Sequence, residues 1–262
     1  MSVVGKVDSL WRYPVKSMRG EELEEAFVGF AGVYGDRVYA FRSSTRPKGF
    51  PYLTGRERAQ MLLYRPRFRY PERAAKPVNL AEADKIEPGM TPLYANPAEL
   101  TVDVETPSGD VLGVDDPALM GLLEPLTGDR QVLALLRSER AMTDCRPISL
   151  ISIQTARQLA DEIGTPVDKR RFRANIYMDL GPVGGFVEDA YVGRTLRIGP
   201  KLVISVLERD KRCKMITLDP DTAQPNAQLL RTVTQYHDNN TGVYGAVLVE
   251  GVIRRGDAIE LS

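Results

Sequence analysis

The sequence predicts a mainly β protein with a few helices (α+β), organised as a barrel-like β fold with helical trim. Short runs of alternating or β-branched apolar residues recur along most of the chain, separated by glycine- and proline-containing turns. Only a few segments carry helical apolar spacing or a helix-start signal. Many short strands with so little helix close most readily as a barrel, which removes exposed sheet edges.

Trp11, Tyr13 and Val15 alternate with other residues ahead of a Ser17-to-Gly20 turn, and Val38-Tyr-Ala-Phe41 follows a tight Gly32-to-Asp36 connection, so the first half starts as paired strands. From Arg56 to Arg73, arginines interleave with Leu62, Leu63, Tyr64, Phe68 and Tyr70. Such a pattern can bind single-stranded nucleic acid by stacking and phosphate contact. The rest of the chain offers no matching basic excess, which favours a solvated strand face. Residues 71–98 bring Pro71, Pro77, Pro88, Pro92 and Pro97 among alanines and acids, an irregular connection with short helical pieces. Leu100 to Val104 alternates, turns at Pro107-Ser-Gly109-Asp110 and returns through Val111-Leu112 as a hairpin. Asp116 and Pro117 supply an N-cap and a first-turn proline for a helix through about Leu126. A boundary near Gly128 divides the chain into a β-rich domain, 1–127, and a barrel domain, 128–262.

The second half opens with an apolar strand from Val132 to Leu136. Ala156, Leu159, Ala160 and Ile163 lie at helical spacing, with Ser152 as the cap and Gly164 as the stop. Thr195–Ile198, the Gly199-Pro200 turn and Leu202–Val206 form a hairpin whose second strand delivers Cys213 at its far end. Leu229, Leu230 and Val233 predict a helix over Pro225–Tyr236, and the stretches Val243–Ile253 and Ala258–Leu261 close the chain with strands.

The 262 residues are 43% hydrophobic and 27% charged, enough to bury a large core. Thirty-five Lys plus Arg balance 35 Asp plus Glu, so there is no general pull toward nucleic acid or membranes, and any anion site must be local. Two cysteines, Cys145 and Cys213, are too few for a disulfide scaffold and point to a reducing compartment. With no apolar run near the roughly 20 residues of a membrane span and no basic-then-apolar leader, a cytoplasmic location is expected.

The segment richest in chemistry is Glu208-Arg-Asp-Lys-Arg-Cys213-Lys-Met-Ile-Thr217-Leu-Asp219-Pro-Asp-Thr222. Lys211, Arg212 and Lys214 would hold a thiolate at Cys213 by opposite charge, making it a better nucleophile or soft-metal ligand. The segment alone serves equally well as a half-buried cysteine on a strand whose charged flanks face water. Zinc lacks Cys-x-x-Cys or His-x-x-x-His spacing around the single His237, and there is no Gly-x-Ser-x-Gly elbow, Walker loop or Gly-x-Gly-x-x-Gly fingerprint.

As an ordered set, several motifs resemble the MOSC family, named for the C-terminal domain of molybdenum cofactor sulfurase. These are Arg212-Cys213 with Thr217-x-Asp219-Pro220-Asp221-Thr222, Tyr13-Pro14-Val15-Lys16-Ser17, Gly35-Asp36-Arg37, Arg171-Phe172-Arg173-Ala174-Asn175-Ile176, and the closing Gly242-Val243-Tyr244 and Ile253-Arg-Arg-Gly256-Asp257. The match spans nearly the whole sequence and looks most like the branch containing the mitochondrial amidoxime-reducing component and its bacterial relatives. The resemblance implies a MOSC β-barrel preceded by a smaller β-rich N-terminal domain, and a pterin-based molybdenum cofactor. It further implies that Cys213 ligates molybdenum and acts in catalysis, that Lys16, Ser17 and Arg37 hold the phosphate, and that Arg173 and Asn175 contact the pterin region. Ser152 and Arg212 would lie near the cofactor. Each has a plainer role open to it: a solvated charge for Lys16, Arg37 and Arg173, a satisfied buried amide for Asn175, a helix cap for Ser152.

Lys211 stands where relatives often have a small polar residue, and Cys145 follows Asp144 where they more often have glycine; a second reactive thiol is one reading of Cys145, and a buried, inert cysteine is the favoured one. Two cysteines cannot furnish the four thiolates of an iron–sulfur cluster, so a separate ferredoxin or flavoprotein would supply electrons. Three readings follow: an oxidoreductase that reduces N-oxygenated small molecules at a cysteine-ligated molybdenum, a carrier of persulfide sulfur or cofactor on Cys213, and a metal-free binding module in which Cys213 is idle.

Overall fold

The computed structural model describes residues 2–83, 85, 96, 98–127 and 132–262. The expected boundary near Gly128 and the prolines Pro88, Pro92 and Pro97 lie outside them. In chain order the elements are β1 (Ser2–Arg12), β2 (Glu21–Leu23), β3 (Glu25–Gly29), β4 (Gly32–Val33), β5 (Tyr39–Ser43), β6 (Arg65–Phe68), α1 (Leu80–Ala83), β7 (Val102–Glu105), β8 (Val111–Gly113), α2 (Pro117–Leu123), β9 (Leu133–Arg137), β10 (Ile148–Ser152), α3 (Ile153–Ile163), β11 (Ile176–Asp179), β12 (Thr195–Ile198), β13 (Leu202–Lys211), α4 (Ala227–Tyr236), β14 (Asn240–Val249), β15 (Gly251–Arg254) and β16 (Ala258–Leu261). No helix among the described residues is long and apolar enough to cross a membrane.

The predicted barrel is present. Seven strands run β11-β10-β14-β13-β12-β16-β1, and β1 pairs back onto β11 to close the ring. The ring pairs are antiparallel except β10 with β11, which are parallel. A parallel pair needs a crossover, and α3 supplies it. Inward residues Val7, Leu10, Leu150, Met178, Ile204 and Ile259 form the barrel core. Ile151, Tyr177 and Phe172 pack instead with Leu159 of α3 and with Leu229 and Val233 of α4. Strands β10 and β11 are therefore buried on both faces, and the alternation that marks the other strands is missing from their sequence.

Contacts divide the chain into two compact units, Met1–Arg12 with Glu22–Val33 and Asp144–Ser262, and Tyr13–Glu21 with Tyr34–Thr143. A single cut between 127 and 128 does not reproduce these units, because β1 belongs to the barrel. In the second unit β5 pairs with β9, and β6, β7 and β8 form a separate sheet. The predicted hairpin is β7–β8, closed by Thr106 N–H to the Asp110 carbonyl at 2.8 Å with Gly109 at φ 95°. The arginine-rich stretch becomes the solvated strand β6. Arg65 and Arg67 are exposed beside buried Pro66 and Phe68, and Arg65 and Arg69 pair with Glu105 and Asp103.

Several boundaries differ from expectation. The strand through Trp11 ends at Arg12, and Val15 makes only an isolated bridge to Tyr39, since Pro14 has no N–H to continue a ladder. Helix α2 ends at Leu123 because the next turn, Glu124–Thr127, tightens into a 3₁₀ helix around Pro125. The stretch 243–253 breaks at Glu250, where β14 leaves the barrel and β15 pairs with β3. Gly242 lies on β14 at φ 77°, where a Cβ would sit 2.6 Å from the Leu150 carbonyl, so only glycine lets β14 approach β10 there.

The two helix caps read from the sequence, Asp116 and Ser152, are present, and Asn226, which was not read as one, caps α4. Asp116 accepts from Ala118 N–H at 2.8 Å, Ser152 from Thr155 N–H at 3.1 Å, and Asn226 from Gln228 N–H at 3.1 Å. Helix α3 stops at Gly164 in the left-handed region, φ 68°. Ser152→Ala is expected to lower the unfolding free energy by about 1 kcal/mol, read by urea denaturation. A variant as stable as the parent would show that this hydroxyl does not hold the helix.

Candidate functional site

Cys213 sits where β13 leaves the barrel. It is extended (φ −132°, ψ −177°), half-buried and free, and it caps the 3₁₀ turn Lys214–Thr217. Arg212, just before it, turns inward. Its Nε and Nη2 donate to the Thr241 carbonyl at 2.7 and 2.5 Å, and its Nη1 donates to the Phe172 carbonyl at 2.9 Å and to Asp210 Oδ2 at 2.8 Å. The Arg212 backbone is held from both sides by Asn239, at 2.8 and 2.9 Å. Arg212 thus fixes the position of the thiol-bearing segment through its own hydrogen bonds.

A second arginine works in the opposite direction. Arg171 donates to the Thr217 carbonyl at 2.7 Å and to Asp219 Oδ2 at 2.8 Å. Asp219 Oδ1 meanwhile accepts from the N–H groups of Asp221 and Thr222 at 3.0 and 2.9 Å. Burial opposes ionisation of Asp219. The Thr222 and Asp221 amides and the Arg171 charge outweigh it and hold the carboxyl below the usual carboxylate range. The Arg171–Asn175 motif and the Cys213–Thr222 motif are thereby tied at two points.

The other barrel-unit residues read from the sequence are mostly occupied. Asn175 is buried; its Oδ1 accepts from Ser149 N–H and Oγ, and its Nδ2 donates to the Trp11 carbonyl, all at 3.3 Å. It thus clips β10 and β1 together at the start of β11. The Ser152 hydroxyl caps α3 and also bonds Thr155 Oγ1 at 3.0 Å, while its N–H donates to buried Glu188 at 3.0 Å. Arg173 takes the left-handed conformation, φ 53°, that ends the turn Lys169–Phe172. Lys211 and Lys214 are exposed on either side of the cysteine segment.

In the second unit the two early motifs meet each other. Tyr13 N–H donates to Asp36 Oδ1 at 2.8 Å, Arg37 N–H to the Tyr13 carbonyl at 2.7 Å, and the Arg37 guanidinium pairs with Asp36 while lying 4.6 Å over the Tyr13 ring. Lys16 Nζ donates to the Met142 carbonyl at 2.7 Å and lies 4.9 Å over the Tyr52 ring. Ser17 and Arg37 both have positive φ, 68° and 47°.

Residues 137–260 match the MOSC domain, and residues 4–110 match the MOSC N-terminal beta barrel domain. The chain carries both MOSC domains. Among solved structures, YUAD protein from Bacillus subtilis is 13% identical, covering 98% of this chain and 94% of its own, with a TM-score of 0.48. YiiM from Geobacillus stearothermophilus is 20% identical over 45% of this chain and 54% of its own, TM-score 0.35. YiiM from Escherichia coli is 17% identical with the same coverage, TM-score 0.31. No curated protein matches.

Within the MOSC domain, then, Cys213, Arg212, Arg173 and Asn175 lie on segments that the structure ties together, whereas Ser152 serves α3 and its buried carboxylate. Sequence reasoning gave no role to Arg171 or Asp219, although both stand inside the quoted motifs; the signal was an arginine and an aspartate that only the fold pairs. The second MOSC-domain cysteine corrects an expectation, since Cys145 is exposed rather than buried. Its Sγ donates to Glu208 Oε1 at 3.5 Å, beside Arg146 at 2.6 Å. Lost hydration at the sulfur, then the bond to and charge of Glu208, push this thiol above its ordinary value. His237 is placed against Glu162, 2.8 Å, and stacked on Phe186. No group of three or more His, Cys, Asp or Glu among the described residues could hold a metal.

Arg171→Met removes both ties and is expected to cost about 2 kcal/mol at neutral pH. Because the folded carboxyl of Asp219 is lowered, its contribution is complete above the unfolded value of about 3.9 and fades as pH falls through the folded value. The stability gap between parent and variant in urea should therefore narrow in acid; a gap that stays constant would remove Asp219 from the account. For Cys145, alkylation in a Cys213→Ala background should be slow near neutral pH, rise only above the ordinary thiol value of about 8.5, and quicken in Glu208→Gln. Equal rates with and without Glu208 would contradict this, as followed by peptide mass spectrometry.

Proposed function

We propose that this MOSC-domain protein binds a molybdenum–pterin cofactor and reduces N-hydroxylated or N-oxygenated small molecules, with Cys213 as the one protein ligand to the metal. The observation that carries the reading is Cys213 itself: a free, half-buried thiol at the end of a barrel strand, on a segment fixed by Arg212 and Arg171. Thiolate sulfur is a soft donor suited to such a metal, and the residues present fit the group in that respect. Exposed Lys211 adds positive charge on the same segment, favourable to an anionic cofactor. In this reading Arg173 serves the pterin. Asn175, Ser152 and Arg212 act by holding the segments that carry the site, since their polar groups are already engaged.

When bound, the cofactor supplies the two-electron redox change. Reduction of R–NH–OH to R–NH₂ consumes two electrons and two protons and releases water, and a separate ferredoxin or flavoprotein in the cytoplasm is the proposed electron source. The chain's own contribution is to present one thiolate in a fixed position and to keep Arg212 from competing for it by binding that guanidinium internally.

The deciding experiment measures molybdenum and pterin in protein purified natively from a cofactor-competent host, beside its Cys213→Ala form. Stoichiometric metal and pterin in the parent, with metal lost or its spectrum altered in the variant together with N-reductive activity, is the expected result. Full activity in Cys213→Ala would sink the ligand assignment. Absence of both metal and pterin would transfer the role of Cys213 to sulfur carriage, visible as a reductant-labile mass adduct.

A further inference from the structure

An open groove of about 590 Å³ begins one residue past Cys213, between the turn Lys214–Thr217 and α4. Helix α4 gives it Ala227, Leu230, Arg231, Thr234 and Gln235, one stripe at i, i+3, i+4, i+7 and i+8. Two threonines on its wall spend their hydroxyls on the protein. Thr217 Oγ1 donates to the Lys214 carbonyl at 2.8 Å, and Thr234 Oγ1 to the Leu230 carbonyl at 2.8 Å. What they offer the groove is methyl, alongside Pro225, Ala227 and Leu230, so the wall is apolar.

The rim is cationic. Lys214 and Arg231 are both exposed, and neither side chain has a hydrogen bond or ion pair among the described residues. The acids of the adjacent loop are committed elsewhere, Asp219 to Arg171 and Asp221 to Arg170. An apolar wall under two uncompensated cations complements one kind of ligand, and the volume falls in the range of small-molecule pockets.

We infer that this groove binds a small apolar anion, an aromatic or branched aliphatic body carrying a carboxylate, with Lys214 and Arg231 taking the charge and Leu230 the body. Resting on the reading of Cys213 given above, it assigns the substrate class: N-oxygenated compounds that also bear an acidic group. Arg231 can engage a carboxylate with two parallel N–H donors, while Lys214 acts as a point charge.

The test uses the full chain, with 4-phenylbutyrate as probe and the uncharged 4-phenylbutyramide as control, titrated by calorimetry and by NMR. The carboxylate should bind saturably and about tenfold tighter than the amide, with that preference abolished in Lys214→Gln/Arg231→Gln and weakened by salt. Leu230→Asn should weaken both ligands; thermal unfolding shows that each variant is folded. No saturable binding, equal affinity for the two probes, or a preference that survives in the double variant overturns the inference. Molybdenum and pterin are measured on the same samples. Binding without cofactor leaves the groove standing and removes the redox reading, whereas cofactor without binding does the reverse. With cofactor present, Arg231→Gln alone should lose kcat/KM on carboxylate-bearing N-hydroxy substrates and keep it on neutral ones; equal loss on both would count against the assignment.

Discussion

The geometry around Cys213 depends on two arginines crossing between the same two segments. Arg212 reaches from the cysteine segment to the Phe172 carbonyl, and Arg171 reaches back from the neighbouring turn to Thr217 and Asp219. A guanidinium that is largely buried is tolerable only when its donors are filled, and here they are filled by carbonyls and carboxylates of loops that would otherwise be free to move. The charge that the sequence places beside the thiol is, in Arg212, used up in this way, so its influence on chemistry is mechanical. The lysines on either side remain in water. The segment therefore combines a hydrogen-bonded inner layer with a solvated, cationic outer one.

What could be read from the sequence was the local part. The β7–β8 hairpin, the β12–β13 hairpin, α3 with its Ser152 cap and Gly164 stop, and α4 all rest on signals within a dozen residues, and all are present. Strands β10 and β11 were not read, because a strand covered by the barrel core on one side and by helices on the other carries no alternation. Nor was the barrel's use of β1, since nothing local to Ser2–Arg12 announces pairing with a strand near residue 177. The same limit applies to the site. Cys213 stood out by its neighbours in sequence, whereas the partnership of Arg171 with Asp219, 48 residues away, exists only in the fold.

Asn175 and Ser152 show why motif membership and local chemistry need to be separated. Both belong to patterns that resemble a cofactor-binding family, and both have side chains whose donors and acceptors are engaged in holding strands and a helix. A residue can be indispensable to a site by fixing the backbone that builds it. The two cysteines make the complementary point. Cys145 is the more exposed, yet lost hydration and Glu208 disfavour its thiolate, while Cys213 is the more sheltered of the two. Exposure alone is therefore no measure of thiol reactivity.

Because β1 lies between β16 and β11, the ring joins residues from opposite ends of the described chain: Ser2 pairs with Leu261, and Leu10 with Ile176. During synthesis β1 leaves the ribosome long before either neighbour, and at usual elongation rates it waits about ten seconds or more for them. The whole second unit is formed as an excursion between β1 and β10, so its collapse can shorten the loop that barrel closure must pay for in entropy. Closure is then a late event, and until it occurs the stretches of β1 that will meet β11 and β16 are open to other partners, the condition under which a chaperone that shields extended segments would matter most.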